Sequence, residues 1–399
     1  MRLLTLLLSL CLLIPLPTNA ETKEKVPSIS PWLYKKLTKT ENLIAKKDYQ
    51  KAQQSLNAML SDVDKNSYEQ AVVLRSLSSI YAIKGQYKKA AETLAKAIKL
   101  KVLPKKQEQQ AFLNLGQLYM AIEQYNKAIN ILEPWLLNNP KANAQINALL
   151  ANAYSQLKKY RKALPFIKKA IANTKKPQES WYQLNLALYY ELEDYSSAAI
   201  ILKKLIRLYP DKKQYWHQLS STYQQIKQYK KAVSVQHLAY KKGFIKSEKD
   251  ILALANLFLY IDSPYKAAKL IKQEIKQKRV KSNSKNWEQL ANAWTMAKEF
   301  NLAVSALETA SKLNEKGSLY QKLGQIYVEQ EKWTQAVSAL NKALAKGGLK
   351  NTGMTYIMLG MSHYELKNVR LAKKAFITAS KFSKHKKVAK QWLTYISDA

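Results

Sequence analysis

Apolar residues recur along this chain at three- and four-residue steps, in paired segments that repeat about every 35 residues over residues 36–382. In one such unit, Leu323, Gly324 and Tyr327 belong to the first segment and Ala336 lies in the second. This spacing predicts amphipathic helices, because residues three and four apart share one face of a helix. The chain is therefore predicted to be a series of helix pairs.

One aromatic position and one alanine position mark the register of this repeat. The aromatic position holds Tyr81, Tyr119, Tyr154, Tyr189, Tyr223, Phe258, Trp294, Tyr327 and, in the last unit, His363. The alanines follow at a constant offset, at Ala90, Ala128, Ala163, Ala198, Ala232, Ala267, Ala303, Ala336 and Ala372. A repeat over nearly the whole chain decides the architecture. It also makes enzyme activity less expected, because such arrays mostly form recognition surfaces.

The first twenty residues have the layout of a secretory signal. Met1-Arg2 is a positive start, residues 3–16 form an apolar run, and Thr18-Asn19-Ala20 ends it with small residues. The run is shorter than the roughly 20 apolar residues that span a membrane. We expect cleavage after Ala20 and export, with an uncleaved anchor as the alternative. Cys11 is the only cysteine, so the mature chain would have no disulfide and no thiolate metal site.

Composition favours anionic surfaces over sequence-specific nucleic-acid binding. The formal net charge is +38, which taken alone suggests a nucleic-acid partner. Nearly all of this charge is lysine, since the sequence contains six arginines. Arginine recognises phosphate with a planar fork, whereas lysine acts as a hydrated point charge. Together with the predicted export, this excludes base recognition and leaves a general attraction to anionic surfaces.

No catalytic or metal-binding pattern accompanies the repeat. The four histidines are His217, His237, His363 and His385, and none stands three or four residues from another. His363 replaces a core aromatic and is interpreted as structural. No serine elbow, phosphate-binding glycine loop or HExxH pattern occurs. We therefore predict no enzyme activity, no cofactor and no metal, and an enzyme stays only the third hypothesis.

The repeat resembles the tetratricopeptide repeat, whose signature has Trp/Tyr, Leu, Gly, Tyr, Ala, Phe, Ala and Pro at fixed spacing. Trp216 and Trp287 stand at its first aromatic position, and Pro140 and Pro210 stand at its terminal proline. The resemblance implies an all-α fold, a right-handed superhelical solenoid of about ten helix-turn-helix units with a C-terminal capping helix. In residue numbers this gives a signal at 1–20, a polar segment at 21–31 and the solenoid at 32–399.

The resemblance also locates a concave groove, which in this family is lined by the second, fifth, ninth, twelfth and thirteenth residues of each unit. Charged residues at these positions are Arg75, Lys249, Lys285, Glu191, Glu288, Glu329 and Glu365, so the groove is expected to be nearly neutral. The lysines are then expected on the second helices and turns. Most tyrosines and tryptophans fall on packing positions, which leaves Tyr190, Tyr260 and Tyr364 as aromatic residues of the groove. The candidate partner-binding residues are Gln183, Tyr190, His217, Gln224, Asn256, Tyr260, Glu288, Asn292, Gln321, Gln325 and Tyr364.

Several local strings are similar to exported repeat proteins encoded beside TonB–ExbB–ExbD genes in gammaproteobacteria. These strings are residues 210–216, 264–268, 286–287 leading to 293–294, 346–349 and 359–361. The similarity implies a periplasmic accessory of TonB-type transport. The leading hypothesis is thus a non-enzymatic periplasmic scaffold whose groove binds a protein segment, with TonB, ExbB or ExbD-type components as partners. The alternative is an envelope binder whose convex lysines engage anionic lipid, lipopolysaccharide or glycan.

Overall fold

The computed structural model describes residues 27–139 and 144–398, and the regular structure in these ranges is helical. It consists of 21 α-helices and one 3-10 turn, which confirms the prediction of an all-α helical solenoid. The predicted signal, Cys11 and Pro140 lie outside the described residues. What the sequence predicts for residues 1–26 therefore stays a prediction.

The helices divide into two compact units, with the boundary between Ile201 and Leu202 inside α10. The first unit contains α1 Pro31–Ala45, α2 Tyr49–Asp62, α3 Tyr68–Ile83, α4 Tyr87–Lys99, α5 Lys105–Ala121, α6 Tyr125–Asn138, α7 Ala144–Gln156, α8 Tyr160–Ala172, α9 Glu179–Glu191 and the start of α10 Tyr195–Leu208. Ser30 begins α1, since its hydroxyl oxygen accepts a hydrogen bond from the backbone N–H of Leu33 at 3.3 Å.

The second unit contains the end of α10 and the helices that follow it. These are α11 Lys213–Gln225, α12 Tyr229–Lys241, α13 Glu248–Tyr260, α14 Pro264–Lys276, α15 Ser284–Met296, α16 Phe300–Leu313, α17 Gly317–Glu329, α18 Trp333–Lys346, α19 Thr352–Glu365, α20 Val369–Ser380 and α21 Lys386–Asp398. A 3-10 turn, Ser383–His385, precedes α21. Odd-numbered helices up to α19 are called first helices below, and even-numbered helices up to α20 are called second helices.

Each first helix ends in a three-residue turn whose middle residue has left-handed backbone geometry. In the described chain these middle residues have φ between 56° and 71° and are Lys47, Gly85, Glu123, Lys158, Glu193, Lys227, Asp262, Lys298, Glu331 and Lys367. The N–H that begins the next helix returns to the carbonyl of the repeat's aromatic position, as from Lys332 to Tyr327 at 2.8 Å. This closure satisfies carbonyls that a helix end would leave unpaired. The same closure occurs where the residue is not aromatic, as from Asp48 to the carbonyl of Leu43 at 2.9 Å, so it belongs to the backbone of the repeat.

The repeated alanine lies where two helices cross. All nine alanines of the register, and Ala52 before them, have no exposed surface. The facing residue of the first helix is often small or hydroxylated: Ser78 donates to the carbonyl of Ala90 at 2.8 Å, and Ser220 donates to that of Ala232 at 3.1 Å. These bonds require the two backbones to approach closely. The short distance between the two helix backbones therefore favours small residues such as alanine and serine at this crossing.

In the second unit, the connection between α14 and α15 is fixed by buried polar groups. Glu274 is fully buried and accepts a hydrogen bond from the Tyr240 hydroxyl at 2.6 Å. Its backbone carbonyl accepts from the N–H groups of Arg279 and Val280, and the Val280 side chain is buried. At the other end, the Asn286 amide donates to Glu248 at 2.6 Å. The connection is thus an ordered part of the fold.

The last helix, α21, packs on the final helix pair. The Trp392 ring stacks on Phe376 with centroids 5.3 Å apart, and Ala389 is fully buried. Ile396 is buried in the same cluster as Ile357 of α19 and Ala379 of α20. The helix therefore covers apolar surface of the pair α19 and α20.

His363 stands in the core position that is aromatic in the other units. Its ring is half-buried, and its Nδ1 has no hydrogen-bond partner among the described residues. Burial lowers the pKa of His363 below its usual value of 6.5. Burial, and then the charges of Lys241 and Lys266, likewise lower the pKa of His237. Both rings are therefore uncharged in the folded protein at neutral pH.

Acidification is expected to destabilise the fold through these two histidines. A folded-state pKa below the unfolded value means that the unfolded chain binds protons more readily, so stability is present above about pH 6.5 and lost as the pH falls below it. Thermal unfolding midpoints between about pH 7.5 and 5.5 measure this loss. A His363→Tyr variant, which restores the repeat's usual residue, should lose less than the parent protein. An equally steep fall in both proteins would contradict this role of His363.

Candidate functional site

The eleven candidate residues all lie on first helices. Gln183 and Tyr190 are on α9, in the first unit. In the second unit the others occupy α11, α13, α15, α17 and α19. Gln183, Asn256, Tyr260, Asn292 and Gln325 are exposed, and the remaining six are half-buried. We call the exposed and half-buried side chains of the second unit's first helices the first-helix face.

Hydrogen bonds join neighbouring first helices across this face. Gln289 donates from Nε2 to Asn256 Oδ1 at 2.8 Å, which links α15 to α13. Lys322 Nζ donates to Asn292 Oδ1 at 2.8 Å and forms an ion pair with Glu288 at 2.8 Å, which links α17 to α15. The structure therefore brings Glu288 and Asn292 together around one cation.

The same pattern continues towards the last helix pair. Gln321 on α17 donates to the Thr355 hydroxyl at 2.7 Å and to the Asn351 carbonyl at 3.0 Å. Gln325 donates along its own helix to Glu329 at 3.3 Å. Amide side chains both donate and accept, so a partner's peptide groups could replace such bonds one for one. The face is chemically suited to an uncharged, extended segment.

The three aromatic candidates differ in their surroundings. Tyr260 is 65% exposed, and its ring centroid lies 4.2 Å from that of Tyr229 on α12. A hydrogen bond with Tyr229 raises the pKa of Tyr260. Tyr229, which the sequence assigned to packing, is only half-buried, because it begins its helix beside the turn. These two rings form an open aromatic platform at the edge of the first-helix face.

Tyr364 is held by the capping helix. Its ring lies 5.8 Å from Trp392 and 5.7 Å from Tyr395, centroid to centroid. A hydrogen bond with Tyr395 raises the pKa of Tyr364. The ring is half-buried as a result. Of the three aromatic candidates, Tyr364 thus has its surface partly covered by α21, whereas Tyr190 on α9 meets Tyr195 edge-on at 6.0 Å.

In the first unit, two charged groove candidates also bond to neighbouring helices. Arg75 on α3 donates to Gln107 Oε1 on α5 at 2.6 Å, and burial lowers the pKa of Arg75. Glu191 on α9 bonds with the Tyr160 hydroxyl; burial first, and then this hydrogen bond, raises the pKa of Tyr160. Side chains therefore link neighbouring repeats in the first compact unit as well as in the second.

Besides Tyr229, the sequence reasoning missed two further site residues, Lys322 and Gln289. The five groove positions of the family place Gln321 in the groove but not the next residue, and place Glu288 but not Gln289. A signal was available: Glu288 and Lys322 carry opposite charges one repeat apart on successive first helices. Opposite charges at neighbouring positions of successive helices can form an ion pair, and here that pair places Lys322 on the first-helix face.

Charge is separated between the two kinds of helix. Within the described residues, the ten first helices contain ten basic and ten acidic side chains. The ten second helices contain twenty-six basic and five acidic side chains. Lysine-rich second helices were expected from the register, and the helix boundaries bear this out. The surfaces of second helices therefore carry most of the protein's positive potential.

Other kinds of site find no support in the described part of the chain. No group of three or more His, Cys, Asp or Glu side chains there is arranged to hold a metal ion. No helix among the described residues has the length and apolar character that crossing a bilayer needs.

Comparison with known proteins gives matches to tetratricopeptide repeat families. One family model matches residues 81–153, a second matches residues 144–176 and 213–241, and a third matches residues 182–212. No curated protein sequence matches the chain. These matches do not bear on the resemblance to TonB-associated proteins, which stays a prediction.

Solved structures of repeat proteins are also similar. A tetratricopeptide repeat protein from Parabacteroides merdae is 15% identical, with 74% of this chain and 99% of that chain covered and a TM-score of 0.41. MamA from Desulfovibrio magneticus is 19% identical, with 46% and 99% covered and a TM-score of 0.40. The Cut9–Hcn1 complex is 13% identical, with 90% and 82% covered and a TM-score of 0.33.

Proposed function

Since the chain is a tetratricopeptide repeat protein, we propose that it is a non-enzymatic scaffold whose first-helix face binds a segment of a partner protein. Proteins with this repeat generally act through protein–protein interaction. The proposal places the scaffold in the periplasm, as an accessory of a TonB-type energy-transducing transport system. TonB, ExbB or ExbD-type components are the partners proposed.

The observation that carries the proposal is the composition of the first-helix face. Asparagine and glutamine are the most frequent of its exposed residues, and the Tyr229–Tyr260 platform lies at one edge. Aromatic rings and amide groups together bind a peptide through stacking and backbone hydrogen bonds, and tyrosine does so at low entropic cost. The face is close to neutral, because its lysines are matched by a similar number of acidic residues: Lys213, Lys249, Lys285 and Lys322 against Glu248, Asp250, Glu288, Glu329 and Glu365. Lys322 is paired with Glu288. A partner segment of low net charge therefore fits this face better than an acidic one.

The periplasmic and TonB parts of the proposal are supported by sequence features. The apolar run at residues 3–16 and the small residues before Glu21 support export. The strings at residues 210–216 and 264–268 support kinship with repeat proteins encoded beside TonB genes. Mass measurement of the chain recovered from the periplasm tests the first part, with a mature N-terminus at Glu21 expected.

Photo-crosslinking in the native cell tests the binding face. A photoreactive residue at Asn256 or Met296, both exposed on first helices, is expected to give adducts with TonB, ExbB or ExbD-type proteins. The double change Tyr260→Ala and Asn292→Ala should lower the adduct yield about tenfold, as loss of one or two interface anchors typically does. Identification of the crosslinked peptide by mass spectrometry gives the partner segment.

A matched control comes from the second helices. Gln273 and Asn341 are exposed on α14 and α18, and their replacement by alanine should leave the adducts unchanged. All four substitutions affect exposed side chains, so effects on folding should stay within about 0.5 kcal/mol. Equal losses from both pairs, or adducts formed only from second-helix positions, would overturn the proposed face.

One observation favours a second candidate function, binding to the anionic cell envelope. The second helices carry twenty-six basic against five acidic side chains in the described chain. Lysines near an anionic membrane contribute up to about 1 kcal/mol each. The targets are anionic lipid, lipopolysaccharide or acidic glycan. Binding of this kind must weaken as salt rises, because exposed charges are screened.

A further inference from the structure

The C-terminal end of the chain concentrates positive charge and exposed apolar surface. Between residues 366 and 397 no side chain is acidic. The basic residues of this segment are Lys367, Arg370, Lys373, Lys374, Lys381, Lys384, Lys386, Lys387 and Lys390. Its large apolar residues with more than a third of their surface exposed are Val369, Leu371, Ile377, Phe382, Val388 and Tyr395. We call this segment the C-terminal basic end.

On α20 the two kinds of residue share one stripe. Arg370, Lys374, Ile377 and Lys381 follow one another at three- and four-residue steps, so they lie on the same side of the helix and its immediate extension. The three cations are exposed, and Ile377 between them is 51% exposed. The opposite side is the core side, where Ala372, Phe376 and Ala379 are fully buried. An isoleucine thus projects from the centre of a cationic stripe.

The exposed side of α21 also combines lysines with a large apolar ring. Lys387, Lys390, Gln391, Thr394 and Tyr395 line a shallow depression on this helix. Tyr395 is 57% exposed although its ring touches Trp392 and Tyr364. The side chain therefore has an anchored face and a free face.

The cations of this end are not neutralised within the protein. Elsewhere in the second unit, Lys322 pairs with Glu288, Arg279 with Glu274, and Lys346 with Glu315. None of the nine cations between residues 366 and 397 makes an ion pair with a described residue. Their charge is therefore available to an external anion.

We propose that the C-terminal basic end docks on an anionic lipid bilayer. Lysine ammonium groups would lie at the level of the lipid phosphates, while Ile377 and Tyr395 enter the boundary between headgroups and acyl chains. Surfaces that combine lysines with a few exposed apolar and aromatic residues bind membranes in this way. The inference rests on the envelope-binding candidate above, and it narrows that candidate to one ligand and one end of the chain.

Co-sedimentation with vesicles tests the docking. The chain from Glu21 onward is used, so that the apolar run at residues 3–16 does not itself bind lipid. Vesicles of phosphatidylcholine with about one-third phosphatidylglycerol should bind it at low salt, and vesicles of phosphatidylcholine alone should not. The test variant replaces five exposed lysines by glutamine, which keeps helix propensity: Lys374→Gln, Lys381→Gln, Lys384→Gln, Lys387→Gln and Lys390→Gln.

A matched control removes the same charge from second helices of the first unit. It carries Lys88→Gln, Lys89→Gln, Lys96→Gln, Lys168→Gln and Lys169→Gln, all at exposed positions. The test variant should bind anionic vesicles at least about tenfold more weakly than the parent, and the control should change by no more than about threefold. Ile377→Gln alone should also weaken binding, because an inserted side chain contributes through its apolar area.

The possible outcomes distinguish lipid docking by the C-terminal basic end from envelope binding by second helices in general. Equal losses in the test and control variants would overturn docking by the C-terminal end while leaving binding by second helices in general. Binding to lipopolysaccharide or acidic glycan without binding to vesicles would overturn the lipid assignment. Absence of vesicle binding, or binding that salt does not weaken, would overturn it as well. Photo-crosslinks from Asn256 should persist in the test variant, so the scaffold function is judged separately.

Discussion

A leucine in place of Gly324 is expected to destabilise the second unit by about 3 kcal/mol or more. Even a Cβ atom at this position would lie 2.5 Å from Leu340 Cδ2 and 2.6 Å from its Cγ. Leu340 cannot move aside easily, since it is fully buried and belongs to a cluster with Met358, Leu359 and Ala375. The substitution must therefore push α17 away from α18, and the loss of packing would extend to α19.

Urea unfolding followed by hydrogen exchange measures this effect and its location. A repeat array need not unfold in one step, so amides of α17, α18 and α19 should lose protection before those of α11 to α13. Gln325→Leu provides the control, because the neighbouring side chain is exposed and should change stability by no more than about 0.5 kcal/mol. Similar losses from both substitutions would show that close helix approach is not the cause.

A double substitution tests the contact itself. Gly324→Ala and Leu340→Ala are each expected to destabilise the protein, the first by crowding and the second by leaving a cavity. Together they should cost less than the two single effects added, because the second change removes the atoms that the first one meets. Strict additivity would contradict a direct clash between the two residues.

The repeat's register was predictable because it depends on local geometry. The aromatic position, the left-handed turn and the buried alanine recur at fixed spacing, and each follows from how two helices close on one another. Even the unit around Phe258, where Pro264-Tyr265 replaces the usual turn residues, keeps this closure: the Ser263 N–H bonds to the Phe258 carbonyl at 2.8 Å. Sequence periodicity therefore predicts the helix pairs, and the resemblance to the tetratricopeptide repeat adds the solenoid that they form.

The contents of the candidate site were predictable only in part. The neutral charge of the first helices follows from the register, but the Lys322 contact with Glu288 and Asn292 depends on how a long side chain reaches across to the next unit. The burial of Tyr364 depends on α21, which lies outside the repeated pattern. Sequence spacing predicts the position of a residue on its helix. Contacts between neighbouring repeats also depend on side-chain rotamers, and those of the last repeat depend on α21.

Replacing Arg279 with alanine is expected to destabilise the second unit by about 2 kcal/mol. Arg279 Nη2 donates to Glu274 Oε1 at 2.7 Å, and its Nε lies 2.6 Å from Oε2, at ion-pair distance without hydrogen-bond alignment. Glu274 is fully buried, so removing the cation leaves a buried carboxylate without its counter-charge. Loss of one partner from a fully buried pair costs about 3–5 kcal/mol, and the expected value is lower because the Arg279 side chain is 37% exposed.

The hydroxyl of Tyr240 shares the same carboxylate. Burial, followed by its hydrogen bond to Glu274, raises the pKa of Tyr240 to about 12, and the hydrogen bond with Glu274 raises that of Arg279. The Glu274 carboxyl group therefore lies between a phenol and a guanidinium. This network holds the connection at residues 277–283, so limited proteolysis should cut there first in Arg279→Ala.

The substitution Glu274→Gln distinguishes the effect of losing the ion pair from the effect of losing the packing of Arg279. If the buried charge is the cause, Glu274→Gln with Arg279→Ala should be more stable than Arg279→Ala alone, because the glutamine amide needs no counter-charge. Lys276→Ala, at an exposed position on the same helix, should stay within about 0.5 kcal/mol of the parent. A double variant less stable than Arg279→Ala would mean that the carboxylate contributes mainly through its hydrogen bond from Tyr240, and the ion pair would then be secondary.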